Sequence, residues 1–136
     1  MTNQETLYRY RLTEAEETLK EAERMLKAKF TPRSIVNRGY YSVFYSALAL
    51  FIKTEVKIKS SKHSAVIAVF DKEFVHSGKF DKFYSKTFHK LFKYRVEGDY
   101  KAHIDLSVKD AGKCVELAKD FVQAVKKYIK DNYEKN

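Results

Sequence analysis

Apolar side chains recur along this chain at steps of three and four and almost nowhere in strict alternation. Leu12, Ala15, Leu19, Ala22 and Leu26 form one such series, with Met25 and Phe30 extending its face. Glu14, Glu16, Glu17, Lys20, Glu21, Glu23 and Lys27 fall between them, which predicts an amphipathic helix over roughly residues 5–29. Glu16–Lys20 and Glu23–Lys27 add i,i+4 pairs in the better orientation. Thr31 as N-cap and Pro32 at the first helical position open a second helix. Its sequence, IVNRGYYSVFYSALALFIK, is apolar or aromatic nearly all round, as expected of a helix in the middle of a bundle or in a subunit interface. KIKSSKHS breaks it, with Ser60 or Ser61 as the next cap. A third helix carries Val66, Ile67, Val69, Phe70 and Phe74 and stops near Ser77-Gly78. A fourth, from about Lys79, shows Phe80, Phe83, Tyr84, Thr87, Phe88, Leu91 and Phe92 at helical spacing. The longest regular series is the last: Val108, Ala111, Val115, Ala118, Val122, Val125 and Ile129.

These elements predict an all-α fold, an antiparallel up-and-down bundle of about five helices forming a single domain over residues 1–136. One proline and four glycines in 136 residues agree with long helices and few turns. The length suffices to bury a core without staples. The single cysteine, Cys114, excludes an intramolecular disulfide and a cysteine-rich zinc site. No apolar signal core opens the chain, and the run around SALALFI is too short to span a bilayer. A cytoplasmic protein with no membrane association is expected.

Charge changes this picture from fold to partner. The net charge is +9, and residues 30–101 hold fourteen basic and six acidic groups, so +8 of it lies in the middle of the chain. A local excess of that size favours a polyanion such as RNA. A Gly-rich phosphate loop, an HExxH and a GxSxG are all absent, which leaves P-loop hydrolysis and zinc proteolysis unsupported. His63, His76, His89 and His103 are scattered, so neither a metal nor another cofactor is expected.

The stretch KYRVEGDYKAH, residues 93–103, supplies the first candidate chemistry. Arg95 is expected at or just beyond the end of the fourth helix, where the helix dipole favours a cation; it would pair with Asp99, with Gly98 making the turn. The same turn gathers Arg95, Asp99, Tyr100 and His103. A guanidinium can clamp a phosphate, and an imidazole can move a proton from a ribose 2′-hydroxyl or to a leaving oxygen. The second candidate is NRGYYSVFYSAL. Its Asn37 and Arg38 lie either in an exposed first turn or facing the same cleft as Arg95, and its tyrosines are core side chains or ligand contacts. The third is SSKH, where Lys62 and His63 at a helix start form either an anion site or a plain cap.

The order of RLTEAEETLKEAERML, RGYYSVFYSALALF, KHSAVIAVFDKEFVHSGKF, RVEGDY and AKDFVQAVKKYI resembles the HEPN domains, over nearly the whole chain. The likeness is strongest to their small stand-alone prokaryotic branch. The resemblance implies a helical bundle and a homodimer formed across the helices that bear the active-site motif. It also implies, for many members, a metal-independent ribonuclease acting as a toxin beside a small nucleotidyltransferase antitoxin. The nuclease motif is an arginine followed, after four to six residues, by a histidine. With Arg95 as that arginine, positions 100 to 102 hold Tyr100, Lys101 and Ala102, and His103 lies one residue further. The Arg-x-x-x-Asp-Tyr form of other branches is matched by Arg95, Asp99 and Tyr100. On the resemblance, Arg95 would polarise the scissile phosphate, His103 or Tyr100 would handle the proton and Asp99 would orient one of them. The alternatives are a non-catalytic module, in which Arg95, Asp99 and Arg38 fix a nucleotide or a partner surface, and an orphan structural bundle.

Overall fold

A computed structural model describes residues 2–100, with 98–100 as backbone only, and 106–134. Among them are five α-helices and no strand: α1 (Asn3–Lys27), α2 (Pro32–Thr54), α3 (His63–Phe70), α4 (Lys82–Tyr100) and α5 (Val108–Tyr133). The all-α bundle expected from the periodicity is therefore present. The starts of α1 and α5 are set by short polar side chains, whereas Thr31 at the start of α2 makes no side-chain cap bond. Thr2 Oγ1 accepts from Glu5 N at 3.0 Å to open α1, and Ser107 and Asp110 form a reciprocal capping box at the start of α5.

Helix α2 occupies the middle. Ile35, Val36, Tyr40, Val43, Ala47, Leu50 and Phe51 are buried on one broad side, which Gly39, Ser42, Phe44 and Ala49 widen, while Asn37, Arg38, Tyr41, Tyr45 and Leu48 on the opposite side are half-buried or exposed. Its buried serines carry no unmet polarity, because Ser42 Oγ donates to Gly39 O and Ser46 Oγ to Val43 O. Contacts fix the directions of the neighbours. Gln4 Nε2 donates to Ile52 O and Arg38 pairs with Glu21, so α1 is antiparallel to α2. Lys126–Glu16 and Lys119–Glu23 make α5 antiparallel to α1. Phe80 against Tyr128 and Phe88 against Phe121 do the same for α4 and α5.

The connection between α2 and α3 is not a tight hairpin. His63 meets Tyr40 and Phe74 meets Phe51, so α3 runs alongside α2 in the same sense. Residues 55–62 carry the chain back along the bundle to allow this. Glu55 ends α2 in the left-handed region, at φ 60°. Ser60 does not cap α3; its hydroxyl accepts from Lys62 N, and Lys62 is the N-cap residue, without a side-chain cap. Helix α3 then widens into a π-helical turn over Asp71–Val75, with His76 N donating to Asp71 O at 2.8 Å.

Two boundaries differ from the sequence expectation in ways that matter. Helix α4 begins at Lys82, because Asp81 accepts from Phe83 N through its side chain and so favours a start there. It also continues through Gly98 to Tyr100, so Arg95 lies inside the helix and Gly98 makes no turn. At the other end of the chain, Phe30 lies beyond α1 and is exposed instead of extending its buried face.

The core is largely aromatic. Phe70 touches Phe74, Phe80, Phe88 and Phe121, linking α3, α4 and α5 through one ring. Aromatic pairs of this kind add about 0.5–1.5 kcal/mol each beyond area burial. Helices α2 and α5 approach closely at Gly39, where a Cβ would sit 2.9 Å from Cys114 Sγ. Alanine at 39 gains about 1 kcal/mol of helix propensity, while overpacking costs about 1–3 kcal/mol. Gly39→Ala should therefore lower the urea midpoint modestly and Gly39→Val strongly. Gly39→Ala combined with Cys114→Ala should show favourable coupling of about 1 kcal/mol in a double-mutant cycle.

Candidate functional site

The start of α3, the first half of α2 and the last turns of α4 meet at one end of the bundle. Tyr40 is fully buried on α2, but its hydroxyl reaches His63 Nδ1, the first residue of α3, at 2.9 Å. The His63 imidazole is stacked on Phe44, with ring centroids 4.5 Å apart, and on Tyr40 at 5.5 Å; Tyr41 and Phe92 approach its edges. Arg95 comes in from α4. Its guanidinium carbon lies 5.9 Å from the Tyr40 ring centre and 5.4 Å from that of Tyr41. A planar guanidinium held over two rings keeps its orientation.

The electrostatics of these groups are coupled. Burial, and then the nearby Arg95 charge, push the His63 pKa below its usual value. Burial raises the Tyr40 phenol, and Arg95 only partly opposes it. At neutral pH the site therefore holds a charged arginine, a neutral imidazole and a protonated phenol. With the proton on Nδ1 donated to Tyr40, His63 Nε2 is the lone-pair nitrogen; with Tyr40 as donor, Nε2 carries the proton. The same imidazole is thus equipped to take a proton or to give one.

The structure brings together only some of the residues singled out in the sequence. Arg95 and His63 share one site, and Lys62 stands beside His63, exposed. Asn37 and Arg38 do not turn to that group. Arg38 is held by Glu21 of α1, and with Asn37, Met25, Arg33 and Ser34 it lines a separate hollow of about 430 Å³ at the α1–α2 end. The side chains of Asp99 and Tyr100, and all of His103, lie outside the described residues. Tyr40, one of the tyrosines read from the sequence as either core side chains or ligand contacts, is buried and bonded to His63. No spacing signal links Tyr40, His63 and Arg95, because the return of the chain over residues 55–62 is what joins them. Elsewhere, His89 Nε2 is bonded to Asp71 Oδ2 at 2.7 Å. Among the described residues no group of three or more His, Cys, Asp or Glu side chains is placed to hold a metal ion. Cys114 is buried, which pushes its thiol up to about 12 and leaves it inert at neutral pH.

The direction of the His63 shift fixes a pH dependence. The unfolded chain takes up a proton near pH 6.5, and the folded protein resists doing so until lower pH. The unfolded state therefore binds more protons in that window. The His63 contribution to stability falls as pH drops from about 6.5 towards the native midpoint, and is level above it. In an NMR titration the His63 ring protons should show a midpoint below 6.5, and Arg95→Ala should move it upward.

A family model described as HEPN domain matches residues 8–128. A Thermotoga maritima protein named "UPF0332 protein" is 34% identical over 131 residues, covering 96% of this chain and 97% of its own. Two Methanocaldococcus jannaschii proteins are also similar. "Putative toxin MJ0142" is 30% identical over 87% of this chain and 78% of its own length, and "Putative toxin MJ0605" is 32% identical over 86% and 84%. In the described residues no helix is long and apolar enough to cross a membrane. With an all-helical bundle, an arginine set among aromatic rings at one end of it and a family model spanning most of its length, this chain belongs to the HEPN domain family.

Proposed function

We propose that this single-domain protein is a cytoplasmic HEPN toxin: a metal-independent endoribonuclease, active as a homodimer and neutralised by a nucleotidyltransferase encoded beside it. The observation that carries this reading is the pairing of Arg95 with a neutral His63 over the Tyr40 and Tyr41 rings. The toxin names of two relatives and the middle-chain positive charge support it. Arg95 holds the non-bridging oxygens of an RNA phosphate and offsets the charge that builds there. The first backbone N–H groups of α3, next to His63, add the positive end of a helix to the same phosphate. His63 Nε2 takes the proton of the 2′-hydroxyl, whose oxygen attacks phosphorus. The bond to the 5′-oxygen breaks, and a proton goes to that leaving oxygen. Tyr100 or His103, oriented by Asp99, is assigned this second proton on the family's pattern. In a two-fold dimer both protomers line one groove.

A second reading, a non-catalytic nucleotide- or partner-binding module, has one feature in its favour. His63 is clasped, with Phe44 on one face and its Nδ1 on Tyr40, as suits a group that positions a ligand without moving a proton.

End-labelled single-stranded RNA incubated with the purified protein in EDTA separates the two. Cleavage leaving 2′,3′-cyclic phosphate ends is expected, with losses of about 100-fold or more in His63→Ala and in Arg95→Ala. His103→Ala tests the second proton in the same assay. Intact RNA with a folded, dimeric wild-type protein would favour the binding module.

A further inference from the structure

The positive charge in the middle of the chain has a particular location in the fold. On α1 and α5 several cations are matched by neighbouring acids: Arg9 with Glu5, Arg11 with Glu14, Lys113 with Glu116, Lys119 with Glu23, Lys126 with Glu16 and Lys127 with Asp131. Lys20, Arg24, Lys27, Lys109 and Lys130 of the same helices are in no ion pair among the described residues. On α4 no lysine is matched. Lys82, Lys86, Lys90 and Lys93 are all exposed, and no carboxylate of the described residues comes within ion-pair distance of any of them. Steps of four, four and three place the four on one face of the helix, spread over about 16 Å of its axis. That face is turned away from the side on which Phe88, Leu91 and Arg95 point inward. Acidic groups bound the row. Asp81 precedes the first turn, and Glu97 lies on the lysine face itself, one turn beyond Lys93. Asp110 of α5 is near enough to Lys90 for its carboxyl to be lowered by it, after larger effects from its bonds to Ser107. Asp71 is engaged by His89.

Aromatic rings border the same row. Phe83 is 43% exposed, and Tyr94 is half-buried with the Lys90 ammonium 5.7 Å above its ring. At steps of seven and four, Phe83, Lys90 and Tyr94 fall along one edge of the lysine face. An acidic protein surface would be matched by the lysines alone. A row of unpaired cations flanked by accessible rings matches a strand with phosphates on one side and unstacked bases on the other.

We infer that the outer face of α4 is a docking track for single-stranded RNA, separate from the Arg95 site, in which Lys82, Lys86, Lys90 and Lys93 hold backbone phosphates and Phe83 and Tyr94 stack on bases. The inference takes from the proposed function only that RNA is the polymer; it requires no cleavage. It is therefore tested with a strand that cannot be cut through its 2′-hydroxyl.

A fluorescein-labelled 2′-O-methyl oligouridine of about a dozen nucleotides is titrated with the full-length protein at several salt concentrations. For single strands log K falls with log salt by about 0.7 per phosphate held, so four lysines give a slope near −3. Lys86→Gln with Lys90→Gln should reduce its magnitude by about 1.4. Phe83→Ala should weaken binding about tenfold and leave the slope unchanged. Arg95→Ala should reduce the slope by no more than one phosphate's worth. A slope unmoved by the lysine changes, with binding lost in Arg95→Ala, overturns the track and leaves the proposed function standing. No binding of the oligonucleotide by the wild type, together with lysine-dependent capture of polyglutamate, overturns the track in favour of an acidic protein partner.

Discussion

The burial of α2 over most of its circumference governs the rest of the molecule. A helix with so broad an apolar surface has to be covered by several neighbours, and α1, α3, α4 and α5 do so, leaving only the side of Asn37, Arg38, Tyr41, Tyr45 and Leu48 half-buried or exposed. Covering it forces close approach, as at Gly39, where no side chain stands between α2 and Cys114 of α5. It also means that a polar atom on α2 must find its partner locally or at the end of the bundle. Ser42 and Ser46 turn back on their own helix, and the Tyr40 hydroxyl reaches outward to His63. The buried centre thus delivers one hydroxyl to the surface chemistry.

Arg95 shows how that centre sets protonation states as well as shape. Water is partly excluded around the Tyr40 ring, which raises the phenol and lowers the imidazole, and the guanidinium works in the same direction on His63. The phenol and the imidazole are thereby both held in their neutral forms at neutral pH. The faces of Tyr40 and Tyr41 help to define the place of Arg95.

Periodicity made the helices legible. The α5 series ran without interruption, and the apolar circumference of α2 announced a central helix. Boundaries governed by a single polar atom were less so. Asp81, not Lys79, marks the start of α4, and Gly98, an ordinary stop signal, is accommodated inside it. Arg95 stood out in the sequence and belongs to the site. His63 stood out too, but as one of two residues at a helix start, with no hint of its arginine or of Tyr40. Arg38 was equally prominent and is claimed by Glu21, a partner from another helix that periodicity along α2 could not name. Spacing informs about neighbours on one helix. A constellation drawn from three helices depends on how the chain travels between them.

That route has a temporal side. The α1–α2 hairpin is built from sequence-local contacts, which form at little entropic cost. Tyr40 is in place once it forms, yet by itself it has neither an imidazole nor a guanidinium to work with. His63 arrives only after residues 55–62 have turned the chain back along the bundle, and Arg95 only after α4 has docked against both. A nascent chain that has emerged no further than α2 holds neither neighbour of Tyr40, and the three groups come together only in a protein whose fourth helix has been synthesised and packed.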